Sequence, residues 1–367
     1  MKKIISVLCF FCILSLNVSV YPADISATAA VVMDAESGRV LYEKNGSKIM
    51  TPASTTKIMT GLLAAEYGKG DEILTVSRKA AYQEGSSMYL KEGEKVTLSE
   101  LLYGLLLSSG NDAAVVLAEH IGGSVENFAK MMTDRAREIG AVNTSFKNPN
   151  GLDEEGHYTT AHDLAKIAAH AMKNELFRKI AGTSMITLER GTYTNHNKLL
   201  KNCEGVFGVK TGFTKKSGRC LVTACEREGF SIIAVTLNAP DDWNDHRKLF
   251  ENTFSNYRKV TPFSKGDIVC EITAENGEKV GAVCENSLEC VLSLEEQKRV
   301  EIINDLPPKL YLPVKNGQVM GKVKIMLDGN VLCESMVLSN RDVLPPPKES
   351  LGHFLFITVK SFFRAFM

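Results

Sequence analysis

The chain has 367 residues, of which 44% are hydrophobic and 23% charged. At roughly 150 residues per domain that length accommodates two or three domains, and the composition excludes collagen-like, disordered and multi-span membrane proteins. Lys+Arg and Asp+Glu both number 43, so no bulk charge draws the protein to nucleic acid and function has to reside in individual sites.

The first 23 residues read as a secretory signal peptide: Lys2 and Lys3, an apolar run from Ile4 to Leu16, then Tyr21-Pro22-Ala23. The run is too short for a bilayer span, which takes about 20 residues. Residues 24–260 follow as the first globular domain. Its predicted elements are strands Ala29–Asp34 and Val40–Glu43, then helices Thr55–Tyr67, Ser99–Leu107, Asn111–Ile121, Val125–Ile139 and Thr160–Met172. Strands Val206–Thr211, Cys220–Glu226 and Ser231–Leu237 and a last helix, Trp243–Tyr257, complete it. Strands, a helical block, then strands again predict an α/β domain of the α+β type, an antiparallel sheet covered by helices.

Composition changes near Pro262. Over 263–340 only short strands are expected (Ile268–Ile272, Val280–Val283, Val319–Ile325, Val331–Val337), separated by Asn-Gly and Asp-Gly turns, which makes a small all-β domain. Pro345-Pro346-Pro347 is a stiff spacer. Beyond it, residues 348–367 place Leu351, Phe354, Leu355, Val359, Phe362, Phe363 and Phe366 on one helical stripe, with Lys360 and Arg364 opposite. That pattern predicts an amphipathic helix lying on a membrane surface. Seven cysteines remain after the leader; their odd number and wide spread do not make a small disulfide framework, although pairing within Cys270–Cys333 is open.

Three short motifs carry the chemistry. Ser54-Thr55-Thr56-Lys57 opens a helix after Pro52, and residues three apart on a helix share a face, so the Lys57 amine can reach the Ser54 hydroxyl. A serine is a weak nucleophile until a base takes its proton, and a lysine serves as that base only when burial or a second cation holds it neutral. Ser109-Gly110-Asn111 lies between two helices, offering a second hydroxyl and an amide. Lys210-Thr211-Gly212 ends a strand before Phe213: a cation and a hydroxyl for a substrate carboxylate, with a glycine leaving room beside them. Each motif alone is also what a helix cap, a loop or a strand end looks like. Their joint occurrence in this order is the set associated with penicillin-binding proteins and class A β-lactamases.

On these motifs the chain resembles the low-molecular-weight penicillin-binding proteins, specifically the serine-type D-alanyl-D-alanine carboxypeptidases of peptidase family S11. The resemblance runs from about Ala29 to Tyr257 and takes in Gly85-Ser86-Ser87 and Asn150-Gly151-Leu152-Asp153. It implies Ser54 as nucleophile, Lys57 as base and Ser109 as proton relay. Asn111 would orient the acyl chain and Lys210 with Thr211 would bind the carboxylate. Beside Gly212, the backbone N–H groups of Ser54 and Phe213 would form the oxyanion hole. It further implies a peptidoglycan stem peptide ending in D-Ala-D-Ala as substrate, β-lactams as inhibitors, no metal or cofactor, and residence on the outer face of the bacterial membrane. Gly110 in the second motif and the lack of a Glu-x-x-Leu-Asn element count against a class A β-lactamase. An arginine near the carboxylate site is also expected; the motifs do not locate it. The competing readings are a β-lactamase or esterase and a non-catalytic wall-binding scaffold.

Overall fold

The computed structural model describes residues 24–69 and 72–346; the expected leader (1–23) and membrane helix (348–367) lie outside the described residues. Two compact units divide at Asn256/Tyr257, so residues 257–260, expected in the first domain, belong to a strand of the second, Tyr257–Phe263.

The first unit is built on a five-stranded sheet of Ala29–Asp34 (β1), Val40–Lys44 (β2), Val206–Thr214 (β3), Gly218–Arg227 (β4) and Phe230–Leu237 (β5), in spatial order β2-β1-β5-β4-β3. The β1–β2, β1–β5 and β3–β4 pairs are antiparallel. Every residue of β1 is buried, as are nearly all of β5, and unbroken apolar runs of this kind belong to strands covered on both faces. Alternation sorts the two sides. Ala29, Val31 and Met33 of β1, with Ile233, Val235 and Leu237 of β5, enter the main core. The helices that fill that core include Lys57–Tyr67 (α1), Leu98–Leu107 (α2), Asn111–Gly122 (α3), Val125–Glu138 (α4) and Ala161–Ala171 (α5). The opposite face is covered by Asp242–Asn256 (α6), whose His246 bridges Thr223 of β4 and Thr236 of β5 at 2.7 and 3.0 Å. Burial pushes that imidazole down to about 3, so it is a neutral clamp holding helix to sheet.

Helix boundaries follow local chemistry. Thr97, Ser124 and Thr160 accept from backbone N–H groups three residues on, capping α2, α4 and α5. Helix α1 is buried around its whole circumference from Lys57 to Ala64, which is the pattern of a helix enclosed by others. It is the axis of the core.

The second unit carries Tyr257–Phe263 (β6), Ile268–Thr273 (β7), Lys279–Cys284 (β8), Leu288–Ser293 (β9), Val300–Asp305 (β10), Val319–Leu327 (β11) and Asn330–Ser339 (β12). Five form a sheet in the order β7-β8-β12-β11-β10, and β6 pairs with β9. Its core includes Val280, Ala282, Leu292, Val323, Ile325 and Val337.

Candidate active site

The serine–lysine motif begins as a 3-10 turn, Ala53–Thr56, and becomes α-helical only at Lys57, later than the expected start at Thr55. Ala53 has φ +50°, a left-handed conformation that strains a residue with a β-carbon. Gly151, at φ +85°, lies against it: a β-carbon there would come within 1.9 Å of the Ala53 carbonyl. From Pro52 to Ala64 every residue is buried except Ser54, which is half-buried. The wall opens at the one hydroxyl the motif singled out.

The Lys57 amine is fully buried and has three oxygen neighbours: Ser54 Oγ at 3.0 Å, Asn111 Oδ1 at 2.7 Å and the Asn150 carbonyl at 2.7 Å. Desolvation drives its pKa well below the ordinary lysine value, the nearby Lys210 ammonium lowers it further, and Asp112 opposes the shift. A neutral amine has two N–H donors and one lone pair. Two of its three neighbours are carbonyl oxygens, which only accept; they take both N–H groups, and the lone pair is left facing the Ser54 hydroxyl. The geometry orients a base.

Asn111 is held in turn. Its side-chain nitrogen donates to the Glu84 carbonyl, and its own N–H donates to the Ser86 carbonyl at 2.7 Å. The next residue, Asp112, is completely buried and accepts from Ser87 Oγ (2.6 Å), Met88 N (3.0 Å) and Leu90 N (3.1 Å), which clamps the 84–90 segment over the start of α3. Ser109 precedes this helix at φ +62°, 4% exposed, with its residue lining the cavity beside Ser54.

Lys210-Thr211-Gly212 is not a strand end. The β3–β4 register continues through Lys210↔Val222 and Gly212↔Cys220 to Thr214↔Gly218, so the motif sits inside an edge strand with its other side free for a ligand. Thr211, Gly212 and Phe213 line the cavity, and Phe213 is 64% exposed. At Gly212 a β-carbon would lie 3.0 Å from both Ser54 N and Thr55 N; only glycine lets β3 pass this close to the nucleophile. Lys210 is 1% exposed, donates to the Thr211 carbonyl at 3.1 Å, and is pushed down to about 7 by burial. His196 is lowered too, by burial and then by Lys210 and Lys57. The structure thus brings Ser54, Lys57, Ser109, Asn111, Lys210, Thr211, Gly212 and Phe213 to one cavity and its back wall. The cavity is about 660 Å3.

Three contributors escaped the motifs. The Asn150 carbonyl is a backbone group, and the Asn150-Gly151 dipeptide signals only the turn that presents it. Asp112 adjoins the second motif and was given no role there. Arg219 lies opposite Phe213 across the β3–β4 hairpin and lines the cavity. Its guanidinium donates twice to Asp242 Oδ1 (2.9 and 2.8 Å) and stacks 5.6 Å from the Trp243 ring centre.

Comparison with known proteins shows the family of the chain. The family model described as D-alanyl-D-alanine carboxypeptidase matches residues 17–241, and that of the penicillin-binding protein 5 C-terminal domain matches residues 257–344. The chain belongs to the D-alanyl-D-alanine carboxypeptidase family. Relatives include the D-alanyl-D-alanine carboxypeptidase DacF of Bacillus subtilis, 37% identical with 86% of each chain covered, and DacC of Escherichia coli, 32% identical over 83% of this chain and 81% of that one. Among solved structures, penicillin-binding protein 5 from Haemophilus influenzae superposes with a TM-score of 0.74 at 28% identity, covering 89% of this chain and 99% of the other.

Proposed function

We propose that Ser54 and Lys57 carry the reaction of a serine D-Ala-D-Ala carboxypeptidase that removes the terminal D-alanine from peptidoglycan pentapeptides. The observation that carries this reading is the buried Lys57 amine, 3.0 Å from Ser54 Oγ and 2.7 Å from two carbonyl oxygens; in its neutral form it gives both N–H groups to the carbonyls and turns its lone pair to the hydroxyl.

Lys57 takes the hydroxyl proton while Oγ attacks the penultimate D-alanine carbonyl. The developing oxyanion sits between the N–H groups of Ser54 and Phe213, donors whose loss costs about 3 kcal/mol each in comparable sites. Ser109 passes the proton to the departing amine, the C–N bond breaks, and D-alanine leaves. Water then attacks the ester, giving its proton to Lys57, and Ser54 is regenerated. Asn111 holds Lys57 and orients the acyl chain. Thr211 and Lys210 bind the terminal carboxylate, and Arg219 is the arginine that joins them. Lys210 has to be protonated for that task and Lys57 neutral, two opposite demands met by one buried pair of amines. β-Lactams acylate the same serine and leave slowly.

The leader at 1–23 and the aromatic stripe at 348–367 support export and attachment to the outer membrane face; no helix among the described residues is long and apolar enough to cross a membrane. Fluorescent penicillin should label the full chain covalently, and Ser54→Ala should abolish the labelled band. Label retained in that variant overturns the assignment of the nucleophile.

A further inference from the structure

The second unit holds Cys270, Cys284, Cys290 and Cys333, and strand geometry sorts them. Residues two apart on a strand share a face, and on β9 Leu288, Cys290 and Leu292 all enter the core of the unit. On β12, Cys333 stands directly opposite Ile325 of β11, which is completely buried in that core. Opposite residues of an antiparallel pair point the same way, and Cys333, half-buried, packs against the same core.

The two strands lie in different sheets, β9 paired with β6 and β12 set between β8 and β11, so no ladder of backbone hydrogen bonds pairs them. They pack against each other through side chains. Across that contact the sulfurs meet: the Cys333 thiol is hydrogen-bonded to Cys290, and this bond, followed by burial, raises its pKa. The other two cysteines are placed differently. Burial raises Cys270, burial and then Asp267 raise Cys284, and no second thiol contributes to either shift.

We propose that Cys290 and Cys333 are an oxidation site, converted by an external disulfide into a covalent clasp between β9 and β12 that joins the two sheets of the β unit. Disulfides persist around exported proteins and are rare in the cytosol, so the clasp takes its oxidant from the export reading above. The exchange balances. The Cys333 thiolate, more exposed than the buried Cys290, attacks one sulfur of the oxidant, and the first thiol leaves. The Cys290 thiolate then attacks the Cys333 sulfur, and the second thiol leaves. The chain gives up two protons and two electrons, and the oxidant's S–S bond becomes two S–H groups. About 40 residues separate the two positions, so the link takes a long loop's freedom away from the unfolded unit.

The full chain is equilibrated with glutathione disulfide or with dithiothreitol, then alkylated under denaturing conditions. Cleavage after glutamate puts each of the four cysteines on its own peptide, and the peptides are weighed. The oxidised chain should yield the Cys290 and Cys333 peptides joined and the Cys270 and Cys284 peptides alkylated. Because the oxidant is supplied, this result is independent of the export reading. The thermal transition of the β unit should fall by about 15 °C in dithiothreitol. In glutathione disulfide, Cys290→Ala, Cys333→Ala and the double variant should each melt near the reduced wild type, with penicillin labelling unchanged where both units are folded. Full alkylation of Cys290 and Cys333 after oxidation overturns the clasp. So does either one joined to Cys270 or Cys284, or an oxidised wild type that melts where the reduced one does.

Discussion

The two units of this chain were assembled under different rules. In the second, apolar side chains such as Val280, Val323, Ile325 and Val337 form the interior and the charges pair at the surface, as Lys279 does with Glu271 and Lys322 with Glu334. In the first, two amines are fully buried, Asp112 lies among backbone donors, and Ala53 and Ser109 hold left-handed backbones beside the cavity. Each of those features costs stability on its own. Their concentration around one hydroxyl teaches that the first unit gives up stability locally where Lys57 and the half-buried Ser54 meet, whereas the β unit has no such cluster among its described residues.

The contrast can be broken at its centre. Lys57→Met replaces a buried amine with an isosteric apolar chain: the second-order rate of penicillin acylation should fall about 10³-fold, in the range for removing a general base, while the melting temperature holds or rises. A melting temperature that falls along with the rate would mean the amine is structural. Gly212→Ala should reduce acylation by about 10²-fold through displacement of the oxyanion donors, because the new methyl meets Ser54 N and Thr55 N at 3.0 Å. Acylation at the wild-type rate would show that β3 has slack. In the β unit the reverse holds. Ile325→Ala should destabilise that unit by about 3 kcal/mol, read from denaturant unfolding, and leave D-alanine release untouched at temperatures where it remains folded.

The smallest effect is in pH. Lys210 titrates near 7 in the folded protein and near 10.4 in an unfolded chain. Between those values the unfolded state binds the extra proton, so stability rises with pH across the window and the contribution is flat below it. Lys57, lowered for the same reason, adds a slope of the same sign. Lys210→Met should therefore flatten the rise in melting temperature above pH 7, and an unchanged slope would remove burial as the cause. D-alanine release should decline over the same range as Lys210 loses the charge that grips the carboxylate.

Much of this was legible from residue order alone. Strands β1 and β2 and helices α2 to α5 were placed nearly to the residue: α4 and α5 because one face meets solvent and imprints a period, and the fully buried β1 because its short apolar run ends at the Ser37-Gly38 turn. The three motifs and the adjoining Phe213 named eight site positions, all of which border or back the cavity. Val300–Asp305 was missed for the opposite reason: this edge strand is exposed along almost its whole length, so Ile302 and Ile303 adjoin without alternation. Arg219 was missed because its meaning depends on the β3–β4 register, which puts it across from Phe213. The Asn150 carbonyl was out of reach on principle, since a peptide oxygen has no letter of its own in a sequence.

That carbonyl has a further consequence. The partners of Lys57 come from residues 54, 111 and 150, stretches of polypeptide that meet only when the whole helical block has closed around α1. Before then the lysine is hydrated and charged, and the serine is an alcohol like any other. Under the proposed mechanism the unfolded chain has no such base, and covalent capture by penicillin is accordingly an assay of completed structure as much as of catalysis.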